Sequence, residues 1–194
     1  MSGRPRLFDI DKALDQALKV FWRKGYEGTS LSDLTEALGI TRPSLYAAFG
    51  NKEDLFRKAL DRYVEGPASY ISEAIAEPTA RAVVERLLSG AIDLLTDPRN
   101  PGGCLIVQGA IACSEESDTI RRELVARRAA GKAAIHQRLK RAILEGDLPT
   151  DADPADMASY LATIIHGMAV QAASGASREE LQRVAEMALR ALPG

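Results

Sequence analysis

The sequence predicts an all-α fold: a small N-terminal three-helix unit followed by a larger helical body. Three observations lead there. The 194 residues are 46% hydrophobic but only 5% aromatic, with Ala and Leu dominating, a composition that favours helix over sheet. Apolar residues recur at three- and four-residue steps in segment after segment, and no run alternates convincingly as a strand would. Glycines and prolines stand between these segments, where helices stop.

In order, Ile10, Ala13, Leu14, Ala17, Leu18 and Phe21 form one face of a helix from about Asp9 to Lys24, ended by Gly25. Ser30 caps a short helix with Asp33 as its capping-box partner, and Gly39 stops it. A second short helix from about Arg42 to Phe49 is buried through Leu45 and Phe49, and Gly50 closes it. Asn51 caps a longer helix, expected to run from residue 51 to 76 and to connect the two parts, kinked but not ended at Gly66-Pro67. Helical patterns follow over Thr79–Leu95, Gly102–Ala112, Ser117–Glu145, Ala155–Ser174 and Ser177–Leu192. The expected division is residues 1–50 and 51–194.

Charge and cysteine content narrow the function classes. The net charge is −2, yet Met1–Val64 holds 11 Lys+Arg against 9 Asp+Glu while the remainder holds 14 against 18. A mildly basic front on an acidic body fits an anionic partner at the front. Cys104 and Cys113 form neither a zinc pattern nor a disulfide framework. MSGRPRLFD has no apolar run of the kind a signal peptide needs, and MASYLATIIHGMAVQAASGA is broken by Ser, Thr, His and Gln. A cytoplasmic protein without a membrane span is expected, and no cofactor.

The stretch TSLSDLTEALGITRPSLYAAFGNKEDLF carries the chemistry. Helix, short turn at Gly39-Ile40-Thr41 and second helix make a helix-turn-helix, with Leu34, Leu38, Ile40 and Leu45 as its clamp. Thr41 or Arg42 caps the second helix, so Pro43 falls in the first turn, where its missing N–H removes no helical bond. The tip of that helix would then enter a major groove with Thr41, Arg42, Pro43 and Ser44 leading. Arg42 suits guanine acceptors or a phosphate, Thr41 and Ser44 suit either, and Pro43 offers an apolar contact to a thymine methyl. Thr29, Tyr46 and Lys52 are candidate phosphate anchors, Lys52 near a helix N-terminus. For Tyr46 a second role stands beside this one, its ring covering the hinge between helices. In the arm SGRPR, Arg4 and Arg6 suit a narrow A·T-rich minor groove, or else form a frayed basic terminus.

Asp9–Phe56 resembles the N-terminal domain of the TetR family of bacterial transcriptional regulators. The resemblance rests on Ala17, Phe21, Gly25, Tyr26, Thr29, Leu34, Leu38, Gly39, Ile40 and Leu45, and on YxxFxxKEDL from Tyr46 to Leu55. Pro43 departs from a position that is often small or polar in the family. The resemblance implies a homodimeric repressor of about nine helices, dimerising through its last two. Such a protein binds a palindromic DNA operator and leaves it when a small molecule enters the larger domain.

Beyond that unit, Ala155–Ser174 is apolar over much of its circumference, as a helix between its own core and a partner would be. Gly167, Ala169, Val170, Ala173, Ser174, Leu181 and Met187 are the dimer candidates. A twofold axis through them would set two recognition helices in major grooves about 34–36 Å apart. Tyr63, Tyr70, Cys104, Gln108, Tyr160, His166 and Met168 are candidates to line an effector pocket. Scarce polar atoms favour an uncharged or aromatic effector. In PGGCL, Cys104 sits early in a helix, so an oxidant- or electrophile-sensing thiol is the alternative to a buried structural cysteine.

An enzyme is the competing class. The chain has no GxSxG, no GxGxxG after a strand, no GxxxxGK[ST] and no HExxH. SEESD at Ser114–Asp118 reads as a polar helix start in preference to a cation site, so no metal is expected.

Overall fold

The computed structural model describes residues 8–111 and 117–192. Ten α-helices and no strand are found among the described residues. The front unit holds α1 (Ile10–Lys24), α2 (Leu31–Leu38) and α3 (Arg42–Phe49), with α4 (Lys52–Glu65) packed along α1. The larger body holds α5 (Tyr70–Ile75), α6 (Ala80–Thr96), α7 (Leu105–Ile111), α8 (Asp118–Leu144), α9 (Pro154–Ala173) and α10 (Arg178–Arg190). Among the described residues no helix is long and apolar enough to cross a membrane.

Local chemistry sets most boundaries. Asp9, Ser30, Thr41, Asn51, Thr79, Asp153 and Ser177 each accept backbone N–H groups of the turn they cap, worth about 1 kcal/mol apiece. Ser30–Asp33 is a complete capping box, and Gly39 ends α2 in the left-handed conformation at φ 63°.

One element differs from expectation. The connecting helix does not run to residue 76: α4 ends at Glu65 and α5 starts at Tyr70. Pro67 has no N–H to continue the ladder and drives Gly66 out of the helical region, to ψ −97°. The chain turns there, and α5 lies on α6 so closely that a Cβ on Gly90 would come within 2.5 Å of Tyr70.

The front core is aromatic. The Phe21 and Phe56 rings meet edge to face at 4.9 Å, and Tyr26 meets Phe56 at 5.1 Å. Trp22 and Tyr63 cross at 4.8 Å and 87° where α1 and α4 reach the larger body. There the Trp22 Nε1–H donates to the Gly103 carbonyl at 3.0 Å, a buried bond across 81 residues.

Candidate functional site

The helix-turn-helix presents one face of α3. Leu45 and Phe49 are buried where α3 packs on α2 and α4, which leaves Arg42, Pro43, Tyr46 and Ala47 on the outside. Tyr46 is 47% exposed, so its ring does not close the hinge. Thr41 is the cap: its side chain accepts from the Ser44 N–H, and the two hydroxyls lie 3.0 Å apart. Arg42 is therefore the first helical residue, Pro43 the second. The Arg42 guanidinium donates to Ser32 Oγ at 3.0 Å, which brings a residue of α2 into the same surface. Ser32 went unnoticed in the sequence because only the crossing of the two helices places it there.

Lys52 starts α4 and rests 4.3 Å above the Tyr26 ring, where partial burial lowers its pKa and nearby Glu27 and Asp33 oppose that shift. Beneath it Lys24 bonds Asp33 at 2.6 Å, and that bond, then the Ser30 backbone and hydroxyl, pull the Asp33 carboxyl down to about 2. Thr29 is a correction. Its side chain is 1% exposed and its hydroxyl donates to the Gly25 carbonyl at 2.6 Å, so it fastens the α1–α2 turn and has nothing to offer a phosphate. Arg4 and Arg6 lie outside the described residues.

A second site lies inside the larger body. A partly open cavity of about 80 Å³ lies among α4 to α9, and Tyr63, Tyr70, Cys104 and His166 all line it. The Tyr63 hydroxyl donates to Cys104 Sγ at 3.3 Å. Burial, reinforced by the neighbouring thiol, raises both phenol pKa values, so they stay protonated donors. The wall also touches the front unit: Gly103, beside Cys104, holds Trp22, and the Trp22 ring packs on Tyr63.

Three effector candidates are corrected. Gln108 folds back over Gly103, Tyr160 points outward at 39% exposure, and Met168 is packed in the core at 2%. None lines the chamber. What the sequence missed lies on α8, which contributes Arg127, Arg128, Gly131, Lys132 and Ile135. The signal was present: the apolar stripe of Ile120 and Leu124 resumes only at Ile135, and cations and a glycine occupy the gap. Cys113 and Ser114–Glu116 lie outside the described residues. No cluster of His, Cys, Asp and Glu that could hold a metal occurs among the described residues.

The far side of α9 and α10 is apolar and open. Tyr160, Gly167 and Val170 line up on α9, with Val184 and Met187 beside them on α10, Met187 at 64% exposure. Ala173 and Ser174 are also exposed. Ala169 and Leu181 are corrected as dimer candidates: each is 1% exposed, turned into the protomer's own core, and Ala169 lines the chamber.

Comparisons with known proteins agree with this architecture. Residues 13–59 match the family model for bacterial regulatory proteins of the tetR family, and residues 78–188 match a tetracyclin repressor-like C-terminal domain. The chain is 37% identical to the HTH-type transcriptional repressor ComR of Escherichia coli (strain K12), over 98% of this chain and 92% of that one. It is 29% identical to the HTH-type transcriptional repressor BdcR of the same strain, with the same coverage. A cysteine mutant of the TetR family transcriptional regulator CifR, solved with 26-bp double-strand operator DNA, superposes with a TM-score of 0.93. It shares 44% identity over 98% of this chain and 100% of that one. This chain belongs to the TetR family of bacterial regulatory proteins.

Proposed function

We propose that this protein is a homodimeric, cytoplasmic repressor. It holds a palindromic operator through α3 and releases it when a small molecule enters the chamber behind α4. The observation that carries the reading is the α3 surface: a short, capped, rigid helix shows Arg42, Pro43 and Tyr46 to solvent while its other face is locked in an aromatic core. The CifR complex with operator DNA supports the same use of the fold. Residues 1–50 act as the DNA-binding part, with Arg42 reading bases, Thr41 and Ser44 contacting bases or backbone, Tyr46 and Lys52 holding phosphates, and Arg4 and Arg6 reaching the minor groove. Residues 51–194 bind the effector and the second protomer. The stripe from Tyr160 through Gly167 and Val170 to Met187 is the dimer seam, since a contiguous exposed apolar patch marks an interaction surface.

Selection from a random duplex pool tests this. An enriched palindrome, lost with Arg42→Ala, is the expected result. Met187→Glu should give monomers by light scattering and abolish binding to the full palindrome. No enrichment in the absence of effector, from a protein that is dimeric, would overturn the operator reading.

A second reading concerns the signal. Cys104 Sγ lines the chamber beside the Tyr63 hydroxyl, so a small oxidant or electrophile admitted there meets a thiol. Under it, Cys104→Ser removes a response to such reagents. Release retained in that variant excludes the thiol as the sensor.

A further inference from the structure

The chamber offers an effector more than an apolar wall. Among the described residues its lining contains three cations, Arg127, Arg128 and Lys132, and no carboxylate. Arg127 is satisfied on its outer side, bonding Asp61 of α4 at 2.7 Å and Glu123 at 2.9 Å. Arg128 and Lys132 have no hydrogen bond or ion pair among the described residues. Arg128 is half-buried, Lys132 is exposed, and Arg128 stands near His166 of α9, whose pKa is lowered by burial and then by the Arg128 charge. Leu87, Leu95, Ile135 and Ile165 add hydrocarbon to the same lining. The lining therefore combines apolar side chains with a partly buried guanidinium that has no carboxylate partner among the described residues.

We propose that the effector is a small organic anion, a short-chain carboxylate. Its head group is held by Arg128 and Lys132 with His166 beside them, its carbon chain lies among the leucines and isoleucines, and its arrival reaches α4 through Arg127. This rests on the reading of the chamber as the effector site. The size preference follows from the chamber: at about 80 Å³ and partly open to solvent, it suits a head group with a short carbon chain better than a bulky molecule. The charge preference follows from the rim. A carboxylate gives a half-desolvated guanidinium a charge-assisted, bidentate partner, whereas a neutral isostere leaves it unpaired. That preference departs from the uncharged effector the sequence favoured, because the cations were invisible as chamber residues until α8 was in place.

The route outward is an ion-pair relay. Glu123 accepts from Arg127 at 2.9 Å and from Arg57 Nε at 2.8 Å, so Arg57 and Asp61 of α4 are both tied to α8 through Arg127 and Glu123. An anion in the chamber supplies Arg127 with an inner acid in competition with Asp61. The grip of α8 on α4 then differs between the empty and occupied states, the differential contact that a ligand needs to shift an equilibrium. α4 begins at Asn51 and Lys52, directly behind α3.

The test uses the full-length protein, sodium butyrate and its neutral isostere butyramide, with calorimetry for binding and fluorescence anisotropy for operator release. Butyrate is expected to bind and release operator, with butyramide weaker by about tenfold or more. Arg128→Met with Lys132→Met should weaken butyrate by at least about tenfold while melting as a folded protein. Asp61→Asn should bind butyrate as before but show a blunted release. Equal binding of the two probes, or unchanged butyrate affinity in the double variant, overturns the anion site and leaves the chamber open to a neutral effector. Binding of neither probe overturns the short-chain carboxylate. Butyrate binding that is lost in the double variant but never releases operator keeps the anion site and overturns the effector reading beneath it. Full release in Asp61→Asn removes Arg127 as the relay.

Discussion

The two parts of this molecule handle charge in opposite ways. In the front unit charge is kept outside an aromatic core: Lys24 pairs with Asp33, Arg62 with Asp15, and the cation of Lys52 sits on the face of Tyr26. In the larger body cations are found inside. Arg138 of α8 is 3% exposed, donates to the Glu77 carbonyl at 2.8 Å, and has Nε and Nη1 without a partner among the described residues. Arg128 lines a cavity that shows no carboxylate among the described residues. The front is closely packed and turns its polar groups outward. The back keeps cations short of acidic partners among the described residues, Arg138 in the core and Arg128 at the chamber wall.

The strongest way to break the comparison is to attack the front core. Phe56 is fully buried between Phe21 and Tyr26, so Phe56→Ala should cost about 3–5 kcal/mol in urea unfolding. A loss under about 1 kcal/mol would mean that the front core closes over the missing ring, and the contrast in packing would fail. The back should respond in the opposite sense. Arg138→Met keeps the aliphatic stem and removes a guanidinium that lacks a carboxylate among the described residues, so stability should rise by on the order of 1–3 kcal/mol. A marked fall would show that the charge is compensated in solution.

Next comes the outward surface. Arg42 is exposed and its bond to Ser32 contributes little to folding, so Arg42→Ala should leave the melting temperature nearly unchanged. Specific operator binding should weaken by about 1–3 kcal/mol. A uniform loss across all DNA sequences would instead make Arg42 a phosphate contact and leave base readout to Pro43 and its neighbours.

The same division marks what the sequence made legible. Features written in adjacent residues could be read directly: Ser30–Asp33, Thr41 before Arg42-Pro43, the Gly39 turn and the stripe of α1 all follow from spacing and capping. Orientation could not. α9 is apolar nearly all round, so nothing local separates Met168 and Ala169, which face inward, from Gly167 and Val170, which face out; only packing against α6, α8 and α10 decides. Thr29 matches the family pattern, yet its hydroxyl turns inward to Gly25 because the α1–α2 turn needs that bond. The chamber was hidden for another reason. Charged residues on a long helix are ordinarily solvated, and only the resumption of the stripe at Ile135 marks Arg127 and Arg128 as interior.

The smallest expected effect is the sharpest on the chamber itself. His166 is half-buried, and burial and then the Arg128 charge hold its pKa below the ordinary 6.5. Of the other groups around the chamber, Arg127 and Lys132 add positive charge while Tyr63, Tyr70 and Cys104 carry titratable hydroxyls and a thiol. As pH falls below 6.5 the unfolded chain takes the proton before the folded one does, so the contribution of a neutral His166 is fully present above that value and is lost as pH falls toward the folded value. A plot of melting temperature against pH should therefore slope downward on the acid side of 6.5 more steeply in the native chain than in His166→Gln. With an anion in the chamber the direction reverses, because a carboxylate favours the protonated ring. Saturating butyrate should flatten the native slope and bind more tightly as pH falls, and His166→Gln should remove both effects. Parallel slopes for the two chains, with and without butyrate, would mean that the ring does not sense the chamber, and that the unspent cations of α8 are solvated in solution.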